Sequence, residues 1–180
     1  MKKISFISLL IIIVANTALA KVDKWQAFKE AGFEIEFPYR PKHTTQAVNT
    51  SIGTLNIDAF VYETIAQEQD ENLSYSVMTV TYPDSTISSD KLELLPNVFR
   101  GAIDGGVANM KGKLLAEKTI EYKGFPGREV CVSFDNDLHI MIMRAYLVRN
   151  KMYMLQVGCD TAKQKNISCS KFLNSFKLSE

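Results

Sequence analysis

The stretch LHIMIMRAYLVR, residues 138–149, is largely apolar on both of the sides that a strand presents. Alternate residues of a β-strand point to opposite faces. Leu138, Ile140, Ile142, Tyr146 and Val148 fall on one side, and His139, Met141, Met143, Ala145 and Leu147 on the other. A sheet with one solvated face shows apolar–polar alternation instead. This strand therefore predicts a central sheet that is covered on both faces.

The surrounding pattern supplies the rest of such a sheet. FEIEFP (33–38) alternates with period two. The two β-rich runs between Thr44 and Thr64 meet at Ile52-Gly53, which reads as a hairpin. SYSVMTVTY (74–82) is another strand and ends at Pro83. From Lys113 onward the chain reads as a meander: strands 113–122, 128–134, 138–149 and 152–159, with turns at Gly124–Gly127, Asp135–Asp137 and Asn150-Lys151. Two helices are expected to cover it. One starts after a Ser89 cap and runs through Lys91–Leu95, is interrupted or restarted at Pro96, and carries Phe99, Ile103 and Met110 at helical spacing. The other, ISCSKFLNSF (167–176), sets Cys169, Phe172, Leu173 and Phe176 on one face. The residues KVDKWQAFKEAG (21–32) read as one or two helical turns. The expected class is α+β: a mostly antiparallel β-sheet covered by helices on both faces, a helix–sheet–helix sandwich.

The chain opens MKKISFISLLIIIVANTALA. A Lys-Lys start, an apolar run from Ile4 to Val14 and an Ala18-Leu19-Ala20 cleavage site have the three-part layout of a signal peptide. The run is shorter than the roughly 20 residues that span a bilayer. Residues 21–180 are then expected to be one domain, periplasmic or secreted, with no transmembrane segment after cleavage. Twenty-one Lys and Arg stand against 20 Asp and Glu. No basic stripe appears, which argues against a nucleic-acid partner.

An exported chain meets an oxidising compartment, where cysteines pair. Of Cys131, Cys159 and Cys169, the spacing favours a Cys159–Cys169 disulfide and leaves Cys131 over.

The segments GFEIEFPYRP (32–41), SYSVMTVTYP, YKGFPGREV, RAYLVRNKMYMLQVG and FLNSFKL, with the hairpin around Gly53, follow one another in an order that resembles the PsbP/Mog1-like domains, including their small exported bacterial relatives. The likeness spans almost all of residues 21–180. It implies a non-catalytic binding or accessory domain of the bacterial envelope, whose partner is an envelope protein or a small ligand. It supplies no shared catalytic residues and no cofactor.

Two alternatives come from the residues themselves. A three-residue turn at Asp135–Asp137 pairs Phe134 with Leu138 and Cys131 with Met141. That register gathers Cys131, His139, Met141 and Met143 on one face, with Met154 further along. Thiolate, imidazole and thioether suit Cu(I), so this face is a candidate soft-metal site. A hydrolase or thiol enzyme is the other alternative. Its histidines would be His43 and His139, but the sequence puts no nucleophile near His43, and catalysis needs the pair within hydrogen-bond reach. Phe125, expected at the tip of the GFPG turn, is a candidate partner anchor.

Overall fold

The computed structural model describes residues 25–50, 52–65, 70–83 and 86–179. The predicted leader, residues 1–20, lies outside them. The elements in chain order are β1 (Gln26–Glu30), β2 (Phe33–Phe37), β3 (Lys42–Thr50), β4 (Gly53–Glu63), β5 (Asn72–Thr81), α1 (Leu95–Asn109), β6 (Lys113–Tyr122), β7 (Phe125–Phe134), β8 (His139–Val148), β9 (Lys151–Asp160), α2 (Ile167–Ser175) and β10 (Lys177–Leu178), with a 3₁₀ turn at Thr161–Lys163. β3-β4-β5-β9-β8-β7-β6 form a seven-stranded antiparallel sheet, and β1-β2-β10 a three-stranded one. β8 and β9 lie inside the large sheet, as the two-sided apolar pattern requires.

Three local expectations are corrected. The segment read as helical turns contains strand β1, which pairs with β2 from Gln26↔Phe37 to Glu30↔Phe33. Pairing with an apolar partner strand outweighs its weak local helix preference. The first helix begins at Leu95, with Pro96 in its first turn. Proline suits that position because it lacks the N–H that a helix start leaves unpaired. Ser89 serves elsewhere: its hydroxyl accepts from the Arg149 amide at 3.1 Å and steadies the β8–β9 turn. GFPG is not the turn. The chain reverses at Lys123-Gly124, both at positive φ (51° and 84°), and β7 already begins at Phe125.

The β7–β8 connection matters most. Asp135, Asn136 and Asp137 all take positive φ (50°, 54° and 65°). Asp and Asn tolerate this region better than other side chains do. The turn also takes in Leu138, whose amide donates to the Asp135 carbonyl at 3.1 Å and whose side chain is 61% exposed. Phe134 therefore pairs with His139, Val132 with Met141, Cys131 with Ile142 and Val130 with Met143. The register is one residue away from the expected one. A one-residue slip moves a strand's side chains to the opposite face relative to its neighbour.

One face of the large sheet carries Phe60, Tyr75, Val77, Tyr146, Tyr153, Leu155 and Val157. It packs against Phe33, Ile35 and Phe37 of β2 and Cys169, Phe172 and Leu173 of α2. The other face carries Leu55, Val80, Leu147, Met152, Val130, Val132 and Met143, against Leu95, Phe99 and Ile103 of α1. The expected helix–sheet–helix sandwich is thus met only in part, with a helix over each face. The first face is covered by a second small sheet together with α2, while α1 alone lies over the other. One break in the apolar pattern has a clear reason. Arg144 points to the α2 face, where it donates to Glu129 at 2.6 Å, the Leu173 carbonyl at 3.2 Å and Asn174 at 2.8 Å. Arginine near a helix C-terminus satisfies carbonyls that the helix leaves unpaired.

α2 is fastened at its other end by a buried amide pair. Asn166 accepts from the Cys169 amide at 2.6 Å as the helix N-cap, and its side chain donates to Asn72 Oδ1 at 2.7 Å. Asn72 Nδ2 donates back at 3.0 Å and also reaches the Tyr75 hydroxyl at 2.7 Å.

Candidate functional site

The observed register separates the sulphur groups of the predicted soft-metal site. His139, Met141 and Met143 share the α1 side of β8. Cys131 is paired with Ile142, which packs in the α2-side core, so it lies on the opposite face. The set Cys131, His139, Met141 and Met143 is therefore not brought together. All six methionines among the described residues carry the same orientation or cover it. Met78, Met141, Met143, Met152 and Met154 alternate onto the α1 side, and Met110 follows α1 over it. The cysteines divide the other way. Cys131 and Cys159 share the opposite side with Ile142 and Ile140, and Cys169 enters the same core from α2.

Cys131, Cys159 and Cys169 are all free thiols, so the expected Cys159–Cys169 bridge is not formed. Cys159 and Cys169 are 0% and 4% exposed and behave as small core residues. Burial, with a smaller contribution from the neighbouring Cys169, pushes the Cys159 thiol up to about 11. Burial likewise pushes Cys169 up to about 11 and raises Cys131. A thiol held protonated is a poor nucleophile and a poor metal ligand.

The histidines lie in two polar clusters. His43 Nε2 is 3.1 Å from Asp58 Oδ1, and the Thr45 hydroxyl donates to the same oxygen at 2.6 Å. The hydrogen bond from Thr45, followed by that from His43, lowers the Asp58 pKa. His43 stacks on Phe60, with ring centroids 4.5 Å apart. This cluster lies on the edge strand β3 and its neighbour β4, with both side chains about half exposed. His139 sits between Asp160 at 3.2 Å from Nδ1 and Asp135 at 3.6 Å from Nε2, beside the β7–β8 turn. Among the described residues, no three of His, Cys, Asp and Glu converge as a metal site would require.

Phe125 is paired with Tyr122 and half-buried, not displayed at a turn tip. A concave feature lies at the other end of the sheet. A groove of about 610 Å³ is lined by Tyr39, Arg40, Lys42, Thr44, Val61, Tyr62, Glu63, Thr64 and Ile65. Tyr39 and Tyr62 form its aromatic wall, with centroids 5.5 Å apart. Among its charged lining residues Arg40 and Lys42 outnumber Glu63, leaving an excess of positive charge. Among the described residues β3 is an edge strand, so one row of its backbone groups has no strand partner. Sequence reading missed this site because its residues come from a Pro-bounded connection and from the ends of two strands. Only the run Tyr39-Arg40-Pro41-Lys42, aromatic and basic, marks it in the sequence.

No family model and no curated protein matches the chain. Among solved structures, it is similar to the solution structure of cyanobacterial PsbP (CyanoP) from Synechocystis sp. PCC 6803. The TM-score is 0.46 and the identity 9%, over 92% of this chain and 99% of that one. No functional residue is transferred on a likeness of that size. What the coordinates define is the class: an α+β protein built on antiparallel sheets. No helix among the described residues is long and apolar enough to cross a membrane.

Proposed function

We propose that this chain is a non-catalytic binding domain, exported to the bacterial envelope, whose Tyr39–Ile65 groove takes an anionic segment of an envelope protein. The observation that carries this reading is the groove itself. Concave sites with apolar walls and a few placed polar groups are where ligands bind. Here an aromatic pair supplies apolar contact, Arg40 and Lys42 supply positive charge, and the edge of β3 offers backbone groups to an extended segment. Strand addition at a sheet edge is a recurrent way to hold a peptide. The leader-like residues 1–20 support export. The placement of His43 and Asp58 on an open strand surface supports binding over catalysis.

The test is chemical cross-linking in the envelope fraction, with the wild-type protein and an Arg40→Glu/Lys42→Glu variant as baits. The reading expects a cross-linked partner that the variant loses. Identical recovery with both baits contradicts it.

A further inference from the structure

The two sheets end in four edge strands, and the edges are not alike. Among the described residues β1 and β10 bound the small sheet, and β3 and β6 the large one. An unpaired edge is a template for another strand, and proteins blunt it with charged side chains, bulges or shortness. β6 carries Lys113, Glu117, Lys118 and Glu121, and its register shifts at a bulge between Leu114 and Ala116. β1 is short and ends in Lys29 and Glu30, and β10 is only Lys177 and Leu178. β3 lacks such guards beyond its first residue, Lys42. It runs for nine residues in unbroken register with β4, and every residue but Val48 is exposed. From Thr44 to Thr50 it holds no charged residue and no proline. Thr44, Thr45, Val48 and Thr50 are β-branched, the kind of side chain that suits a pleated surface.

We propose that β3 pairs with β3 of a second copy of this chain, antiparallel about a twofold axis, so that two seven-stranded sheets join into one. Charge selects this occupant. A twofold contact sets one patch against itself, so a strand that pairs with its own copy must bring no like charges together. With the axis at Gln46, the midpoint of β3, every residue of the strand is paired. Thr44 then faces the partner's Val48, Ala47 the partner's Thr45, and Lys42 the partner's Thr50. The two Lys42 side chains stand at opposite ends of the paired strands, about 27 Å apart at about 3.4 Å per residue. That is well beyond the screening length of about 8 Å. The charge nearest the middle of the strand, Asp58 of β4, is taken up by His43 and Thr45. A charged foreign segment would find nothing to read between Thr44 and Thr50, whereas a second copy needs no charge there. One open edge per chain also limits the assembly. Once two β3 strands have paired, only guarded edges remain, and growth stops at two.

A second copy and an extended segment would use the same row of β3 backbone groups, so pairing closes that edge to the segment. The pairing goes beyond the groove reading and is tested with this chain alone, so either can fail without the other. One added strand pair buries less than the standard interface of about 1,600 Å², and the dimer is therefore weak and reversible.

Sedimentation velocity of the wild-type protein from about 1 µM to about 500 µM covers the range of weak association. We expect monomer that converts to dimer as concentration rises, with no larger species. Gln46→Lys and Gln46→Glu each set like charges at the axis, and each should weaken dimerisation by at least about tenfold. An equimolar mixture of the two variants should restore it, because opposite charges then meet. Hydrogen exchange on the wild-type protein needs no variant: β3 amides should gain protection as concentration rises, and β6 amides should not. Monomer at every concentration overturns the proposal. So does protection gained at β6 in place of β3, growth beyond the dimer, or a dimer that both charged variants leave intact.

Discussion

Replacing Asn166 by Ala removes four side-chain hydrogen bonds at once, and the structure says what their loss costs. The N-cap bond to the Cys169 amide disappears, which costs about 1 kcal/mol. Asn72 keeps a partner for its NH₂ group in Tyr75, but its Oδ1 loses the donor that held it at 2.7 Å. Asn72 is 1% exposed, so water cannot replace that donor. An orphaned buried acceptor costs about 1–3 kcal/mol. The Lys163 carbonyl loses its 2.8 Å bond but lies nearer to solvent and adds little. The sum is about 2–4 kcal/mol in urea unfolding. Asn166→Ser restores a cap without reaching Asn72, so it should recover only the first term, about 1 kcal/mol. A double-mutant cycle with Asn72→Ala should show coupling of about 1 kcal/mol or more, since the two amides exchange hydrogen bonds. A loss below about 0.5 kcal/mol for Asn166→Ala, within the range of neutral surface changes, or strict additivity in the cycle, would refute the view that this pair fastens α2 to the sheet.

Four further outcomes follow from the same geometry. Gly127→Ala should lower stability by about 1–3 kcal/mol in denaturant titration, because an added Cβ would stand 2.6 Å from the Ala145 carbonyl and 2.7 Å from the Tyr146 ring. In native protein at pH 8, Ellman's reagent should label Cys131 slowly and leave Cys159 and Cys169 unreacted until urea unfolds the chain, since those two are buried and their thiols are held protonated. Stability should fall above about pH 8.5 and through pH 11: both buried thiols have raised pKa values when folded, near 11 against an unfolded value of about 8.5, so the unfolded chain releases protons that the native one retains, and Cys159→Ala should flatten the decline. For Glu129, burial pushes the pKa up, but the hydrogen bonds from Lys118 and Arg144 outweigh it and the net shift is downward. Its contribution is therefore present above the ordinary Glu range and is lost as pH falls through the lowered value, and Glu129→Gln should shrink the acid-side loss seen by circular dichroism.

What the sequence conveys well here is the orientation of long apolar patterns. The two-sided strand at 138–149, the inward face of Cys169, Phe172 and Leu173, and the contacts of Phe99 and Ile103 all appear as the periodicities imply, because burial of apolar area dominates those positions. Turn geometry is read less well. Nothing in Asp135-Asn136-Asp137-Leu138 reveals whether the loop holds three residues or four, because Leu138 is as plausible in a strand as outside one. That single residue decides which face Cys131 shares, and with it the makeup of any metal site. The disulfide expectation rested on compartment chemistry, which the packing of Cys159 and Cys169 does not require. The second sheet escaped notice for a related reason. β1 and β10 are short, and their pairing with β2 comes from distant parts of the chain. The groove combines residues of the Pro38–Pro41 connection with strand ends, where no periodicity operates.

The division of sulphur groups between the two faces rests on the β7–β8 register, and interstrand nuclear Overhauser effects test that register most directly. The account predicts contacts between the Cys131 and Ile142 side chains, and between those of Val130 and Met143 together with Ile103 of α1. Contacts from Cys131 to Met141 on a common face would contradict it, and would reassemble the mixed thiol–thioether cluster that this structure separates.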